Sequence, residues 1–196
     1  MNKSIVPEAF FDSLSLAHKL DNNLDGFKLE EIHLFAYFSS ILYLYRGNPV
    51  SDWQYRFTLS ELGYPFSDSL YDAIERHNQN GWIESNGIFY SITSRGTDQF
   101  NELKLLKSFS HREEYLNASC VTSILMPYSK TLRALLNDPV IAKAKSMKQD
   151  DWLDQSNIYQ KFMEISKAVG VSAMDLLIPA VTWVNYIDEI NNKSGV

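Results

Sequence analysis

FTLSELGYPFSDSLYDAIERHNQNGWIESNGIFYSITSRGTDQFNEL, residues 57–103, holds the signals that decide the fold. Thr58 with Glu61 three positions on is a capping-box pattern and predicts a short helix over Leu59–Leu62. Gly63-Tyr64-Pro65 predicts the turn after it. Ser67 or Asp68 can start a second helix that ends near Asn80-Gly81, with Leu70, Tyr71 and Ile74 facing inward. Two strand-like runs, 82–85 and 88–92, flank Asn86-Gly87, the dipeptide favoured in a type I′ turn because its twist matches that of paired strands. Thr93 or Ser94 then caps a third helix from about Arg95 to Phe109, with Phe100, Leu103 and Leu106 along one side.

Upstream, Pro7 opens a helix through Leu20, and Asp21-Asn22-Asn23 breaks it. The run Leu29–Arg46 is apolar on most sides, as expected of a helix at the centre of a core, and Gly47-Asn48-Pro49 ends it. Residues 53–57 alternate bulky and polar side chains and suit a short edge strand. Downstream the pattern is helical throughout: 113–126 closed by Pro127, 130–136, 139–147, 154–169 with Ile158, Phe162, Ile165 and Val169 in a stripe, and 172–190 with Ala173, Leu177, Ala180, Val184 and Ile187 on one face. Pro179 predicts a kink in that last helix. The expected organisation is an N-terminal helical arm (1–28), a central domain (29–109) and a C-terminal helical region (110–196), packed as one unit.

The chain has 196 residues, 45% hydrophobic and 13% aromatic, enough to bury a substantial core. A formal charge of −6 gives no global attraction to polyphosphate. Residues 29–109 carry 6 basic and 10 acidic groups, so the middle segment is the most acidic. A single cysteine, Cys120, excludes an intramolecular disulfide and suits a reducing cytoplasm. The first ten residues lack the apolar core of a secretory signal, and 32–45 is too short to cross a bilayer at the ~20 residues required. Catalytic patterns are absent: His18, His33, His77 and His111 lack metal-ligand spacing, and there is no phosphate-cradling glycine loop, nucleophile elbow or Cys-x-x-Cys. A non-enzymatic protein without a cofactor is the expectation.

Helix, turn, helix, hairpin and capped helix in that order read as a winged helix-turn-helix, giving a mainly α fold with a small β-hairpin wing packed on N- and C-terminal helices. Tyr90-Ser91-Ile92-Thr93-Ser94-Arg95-Gly96 resembles the pattern that closes the wing in MarR-like and PadR-like regulators. That resemblance covers roughly Leu29 to Leu106. It implies a recognition helix over Ser67–Asn80 and a wing at Glu84–Gly87. The run 32–45, Gly47-Asn48-Pro49-Val50, Trp53, Phe57 and Glu61 through Ser67, with the wing, also resembles more loosely the middle components of three-component ABC-type systems, small partners of SMC-like ATPases in bacterial anti-phage or anti-plasmid defence. This second resemblance implies a non-catalytic subunit joining such an ATPase to an effector.

The surfaces named by the pattern are unsuited to a phosphate lattice with one negative charge per ~1.7 Å. The would-be recognition helix carries Asp68, Asp72 and Glu75 against Arg76 alone, and the wing bears Glu84 without a lysine or arginine. These four helix residues, with Trp152 as an exposed aromatic anchor, are the candidate protein-binding set. Trp82 and Trp183 read as core residues. The best local basic patch is Lys130, Arg133, Lys143, Lys145 and Lys148, with Asp138 as the sole counter-charge inside it. It is the candidate site for a weak DNA contact. The leading expectation is an accessory subunit bound to a larger protein, with no membrane association. The alternative is a regulator that binds duplex DNA as a homodimer.

Overall fold

A helix that is apolar all round must sit inside the molecule, and α2 (Leu29–Tyr45) does: Glu31 to Tyr45 are buried without exception. In the computed structural model, which describes residues 4–147, 152–170 and 176–194, α2 is surrounded by α1 (Pro7–Leu24), α5 (Lys107–Leu125), α6 (Tyr128–Leu136) and α8 (Ser156–Val169). One cluster of buried apolar side chains runs from Ala9 to Ile187. Several buried polar groups of α2 find partners on neighbouring elements, as burial favours. Glu31 accepts from its own helix start, Lys28 N–H, at 2.7 Å and also from Tyr128 Oη. The Ser39 hydroxyl meets Ser119 on α5 at 2.8 Å, and Ser40 Oγ accepts from Gln155 Nε2 at 2.8 Å. Tyr37 Oη donates to Asp138 at 3.0 Å, while Asp138 caps α7 (Pro139–Met147) by accepting from Val140 N–H and Ile141 N–H.

The stretch 57–66 departs from its sequence pattern. Instead of an edge strand over 53–57, a single 3₁₀ turn covers Val50–Trp53, and Gln54 follows at φ 74°. In place of the expected helix over Leu59–Leu62, Thr58–Leu59 (β1) pairs antiparallel with Pro65–Phe66 (β2). Four residues offer too few hydrogen bonds to offset helix nucleation. The turn between the strands closes on itself instead: Ser60 N–H donates to Tyr64 O at 2.8 Å, Gly63 N–H donates to Ser60 O at 2.9 Å, and Gly63 takes φ +80°. Leu62, expected to be helical, stands in solvent at 85% exposure.

The helix α3 (Asp68–Gln79) and the hairpin after it form, with a shifted turn. Ile83–Ser85 (β3) pairs with Tyr90–Ile92 (β4), and Ser85 opposite Tyr90 places Asn86 opposite Phe89. The two central turn residues are therefore Gly87 and Ile88, not Asn86 and Gly87. Only Gly87 has positive φ, +92°, which is the type II′ arrangement with glycine first. Asn86 Oδ1 accepts from both Ile88 N–H and Phe89 N–H, so its side chain locks the turn from outside. On the far side of β4, Phe27 bridges Tyr90 through both backbone bonds, 2.9 and 2.7 Å.

Thr93 caps α4 (Ser94–Leu103) by accepting from Gly96 N–H at 3.1 Å. Gly96 lies so close to the hairpin that an added Cβ would sit 2.2 Å from Trp82 O. Gly96→Ala is expected to destabilise the protein by about 3 kcal/mol, since a backbone atom has to move. Urea denaturation measures it; an unchanged midpoint would mean that α4 does not seat against the hairpin.

The expected helix 95–109 breaks at Lys104–Leu106, and α5 starts at Lys107 rather than near Glu113. The C-terminal region follows the pattern more closely: α6, α7, α8 and α9 (Leu177–Ser194) all form. Ile158 and Phe162 of the α8 stripe are buried, as are Ala180, Trp183, Val184 and Ile187 of α9. Ala173 and the side chains of Ile165 and Val169 lie outside the described residues. Pro179 falls in the first turn of α9, where an N–H has no helical acceptor to lose. Among the described residues, no helix is long and apolar enough to cross a membrane.

Candidate partner-binding surface

Two buried histidines fix the position of α3. At its start, Ser67 N–H donates to His33 Nδ1 at 3.1 Å, and the His33 ring stacks on Phe66 with centroids 4.6 Å apart. Since Nδ1 accepts, the proton of the neutral ring belongs on Nε2. Near the end of α3, His77 Nε2 lies 3.0 Å from both Phe10 O and Ser13 Oγ on α1. A carbonyl can only accept, so here Nε2 carries the proton. Burial depresses both rings, His33 from the ordinary 6.5 to about 3 and His77 to about 4. Leu70, Ala73 and Ile74 fill the space between the two anchors.

The opposite face of α3 is left to solvent. Asp68 is exposed, and Asp72, Glu75 and Arg76 are half-buried. Positions 68, 72, 75 and 76 share one side of a helix at spacings of three and four. Asp72 and Arg76 also take part in contacts within the chain. Tyr71 belongs to this surface at 41% exposure, not to the core as its sequence spacing implies, and its ring lies 6.1 Å from Phe66. A rigid aromatic ring among carboxylates on a helix held from behind is a good contact residue, because little conformational freedom remains to be lost on binding.

The hairpin tip adds exposed apolar surface, Ile88 at 71% and Phe89 at 42%. Between it and the end of α1 lies a cleft of about 350 Å³ lined by Asp21, Asp25 and Glu84. Asp21 Oδ2 is occupied in part by Ile92 N–H at 3.1 Å. Like the outer face of α3, this region is acidic.

Of the five basic residues of the candidate patch, Lys130, Arg133 and Lys145 bond within the chain. Arg133 donates through Nε and a terminal nitrogen to Asp188 Oδ1 of α9, at 2.9 and 2.6 Å. Lys130 reaches Asn185 Oδ1 at 2.7 Å and Asp188 at 3.7 Å. The Arg133 hydrogen bonds hold the Asp188 carboxyl below its ordinary range. Lys145 donates to Leu136 O at 2.7 Å and lies against Gly63. Lys143 lines a cavity of about 220 Å³ between α7 and α8, shared with Asp154 and Lys161. Lys148 lies outside the described residues. Trp152 is 49% exposed, apart from the α3 face, on a strap held by Leu153 N–H to Phe57 O at 2.8 Å, with the Arg56 guanidinium 5.6 Å from its ring centre. Trp183 is buried and Trp82 partly so; Trp53 is also buried, at 2%.

A buried ion pair between α1 and α5 has no counterpart in the sequence patterns. Arg112 Nε donates to Asp12 Oδ1 at 2.8 Å and a terminal nitrogen to Oδ2 at 2.5 Å, with both side chains at or below 1% exposure. Tyr55 Oη donates to Asp12 Oδ2 at 2.6 Å, and the guanidinium lies 3.9 Å over the Trp53 ring. Burial opposes the charge on Arg112, but Asp12 outweighs it and the guanidinium pKa is raised. The only hint in sequence is that Asp12 sits between Phe11 and Leu14 on the apolar side of α1. Burial pushes the Cys120 thiol up to about 12, which suppresses the thiolate. Among the described residues, no three His, Cys, Asp or Glu side chains converge in a way that could hold a metal ion.

No known protein family matches the chain, and neither a curated protein nor a solved structure does.

Proposed function

We propose that this protein is a non-enzymatic accessory subunit that docks on a larger protein through the outer face of α3. The observation that carries the reading is the placement of Tyr71 among Asp68, Asp72 and Glu75 on a helix anchored at both ends by His33 and His77. Such a face suits a basic or mixed protein surface, and it opposes the backbone of a duplex. In this reading α3, the β3–β4 hairpin and α4 are the second half of a winged helix turned to protein recognition, and the β1–β2 hairpin stands where a DNA reader has its first helix. The engagement of Lys130 and Arg133 with Asp188 supports the same preference over duplex binding. By the looser sequence resemblance, the partner is an SMC-like ATPase of a cytoplasmic anti-phage or anti-plasmid complex.

The test is co-purification of the tagged chain with that ATPase from the source cell. Asp68→Lys, Tyr71→Ala and Glu75→Lys together, sparing the internally engaged Asp72 and Arg76, are expected to lower recovery of the ATPase at least tenfold, about 1.4 kcal/mol or more. Asp68 and Tyr71 are exposed and Glu75 is half-buried, so the melting temperature should stay within a few degrees of wild type. Undiminished recovery would remove α3 as the contact. A dimer that binds a short duplex with steep salt dependence, and recovers no ATPase, would replace the proposal with the regulator alternative.

A further inference from the structure

A glycine after asparagine leaves the main-chain nitrogen open to the side-chain carboxamide, and the chain holds two such dipeptides, Asn80-Gly81 and Asn86-Gly87. They differ in what holds them. Asn80 ends α3 with φ −80° and ψ −7°, a helical backbone that keeps its Cβ and the Gly81 nitrogen turned well apart about the Cα–C bond. Asn80 N–H donates to Arg76 O and Gly81 N–H to Asn78 O, both at 3.0 Å. Trp82 N–H donates to His77 O at 2.9 Å, and Thr93 Oγ1 donates to Gly81 O at 2.8 Å. Asn80 is half-buried, and freeing it means undoing the end of α3 together with the residue that caps α4.

Asn86 stands at the tip of the β3–β4 hairpin, where residues 84–89 are all exposed. Past the Ser85–Tyr90 pair, the hydrogen bonds of the tip lie within residues 85–89. Asn86 N–H donates to Phe89 O at 3.0 Å, Asn86 Oδ1 accepts from Ile88 N–H and Phe89 N–H at 3.1 and 2.8 Å, and Gly87 N–H donates to Ser85 Oγ at 3.1 Å. A Cβ added to Gly87 would meet nothing within 4 Å, so the space around its nitrogen is open. Water replaces such exposed bonds at little cost, and the tip can open while α3 and the core stay folded. We infer that Asn86 is a site of spontaneous deamidation in the folded protein and that Asn80 is not. When the tip opens, the Gly87 nitrogen attacks Asn86 Cγ: the N–Cγ bond forms, the Cγ–Nδ2 bond breaks, and Nδ2 leaves as ammonia with the Gly87 proton. Water then hydrolyses the cyclic imide. Cleavage at Cγ gives aspartate, and cleavage at the main-chain carbonyl gives isoaspartate, with the chain rerouted through Cγ. No oxidant or reductant is needed, and water is the sole co-reactant. Either product sets a further carboxylate at the cleft of Asp21, Asp25 and Glu84, which Asn86 lines.

The test incubates the full chain at mildly alkaline pH, folded and in concentrated urea, and follows both asparagines by peptide mapping with mass spectrometry. In urea the two should convert at comparable rates, since each precedes a glycine. In the folded chain Asn86 should convert at least tenfold faster than Asn80, because opening an exposed tip costs less than undoing a helix end seated on the core. Asn86→Gln should abolish the acidic species that ion exchange resolves from the folded protein, since glutamine must close a larger ring. Asn80→Gln should leave that species in place. Equal rates at the two sites in the folded chain, a faster Asn80, or an acidic species that persists in Asn86→Gln overturns the inference.

Discussion

Arg112→Met is expected to cost about 3–5 kcal/mol, enough to unfold much of the population of a domain this size. The Asp12 carboxylate is wholly buried between α1, α5 and the 3₁₀ turn, and it accepts from Arg112 Nε at 2.8 Å. Methionine fills the volume and leaves that carboxylate with only the Tyr55 hydroxyl. Asp12→Leu alone should do comparable harm by stranding the guanidinium. The double substitution should recover most of the loss, since replacing both members of a buried pair with apolar groups is often near neutral. Tyr55→Phe, which removes one hydrogen bond, should cost nearer 1–2 kcal/mol. Urea denaturation followed by tryptophan fluorescence suits the measurement, with Trp53 lying directly under the guanidinium. A single Arg112→Met variant losing less than about 1 kcal/mol would show that the pair is not what joins α1 to α5.

Acid should destabilise the protein through the two histidines that anchor α3. His33 and His77 titrate in the unfolded chain near 6.5 but in the folded one near 3 and 4. Groups with depressed folded values contribute stability that is complete above 6.5 and is lost as pH falls toward those values. Asp138 acts in the opposite sense. Burial raises its carboxyl from 3.8 to about 6, so its ionisation penalises the fold above pH 6 and the penalty fades on acidification to 4. At 1.36 kcal/mol per unit, two histidines against one aspartate leave a net loss of about 3 kcal/mol between pH 7 and 4.5. His33→Asn keeps an acceptor where Nδ1 stands, and His77→Gln keeps a donor where Nε2 stands, without a charge to gain. In the double variant the loss should vanish or change sign, leaving the Asp138 trend exposed. Chemical denaturation at both pH values checks it; a double variant as acid-sensitive as wild type would place the sensitivity elsewhere.

The two effects differ in how far sequence could anticipate them. The apolar breadth of 29–45 marked α2 as central, because a helix without a polar face has one stable environment. Thr93 with Gly96, Gly47 and the Asn86-Gly87 region marked the cap, the helix end and the hairpin, since each is a local backbone requirement. The outward carboxylates of α3 were legible for the same reason. Tyr71 was not, because the hydrophobic spacing of a short helix does not say how wide its buried stripe is.

What the chain determined unaided is therefore the set of local decisions: nearly all the helices, the hairpin, and the acidic character of one helix face. Tertiary structure alone decided the rest. It replaced the Leu59–Leu62 helix with the β1–β2 pair, moved the hairpin turn by one residue to Gly87-Ile88, and broke the α4–α5 run at Lys104–Leu106. It also joined Asp12 to Arg112 across 100 positions and set Arg133 against Asp188 across 55. Capping and periodicity act within one or two turns of chain, so sequence can display them. The pairing of distant charges and the choice between marginal short elements depend on which surfaces come to share a core, and that is fixed only when the helices pack.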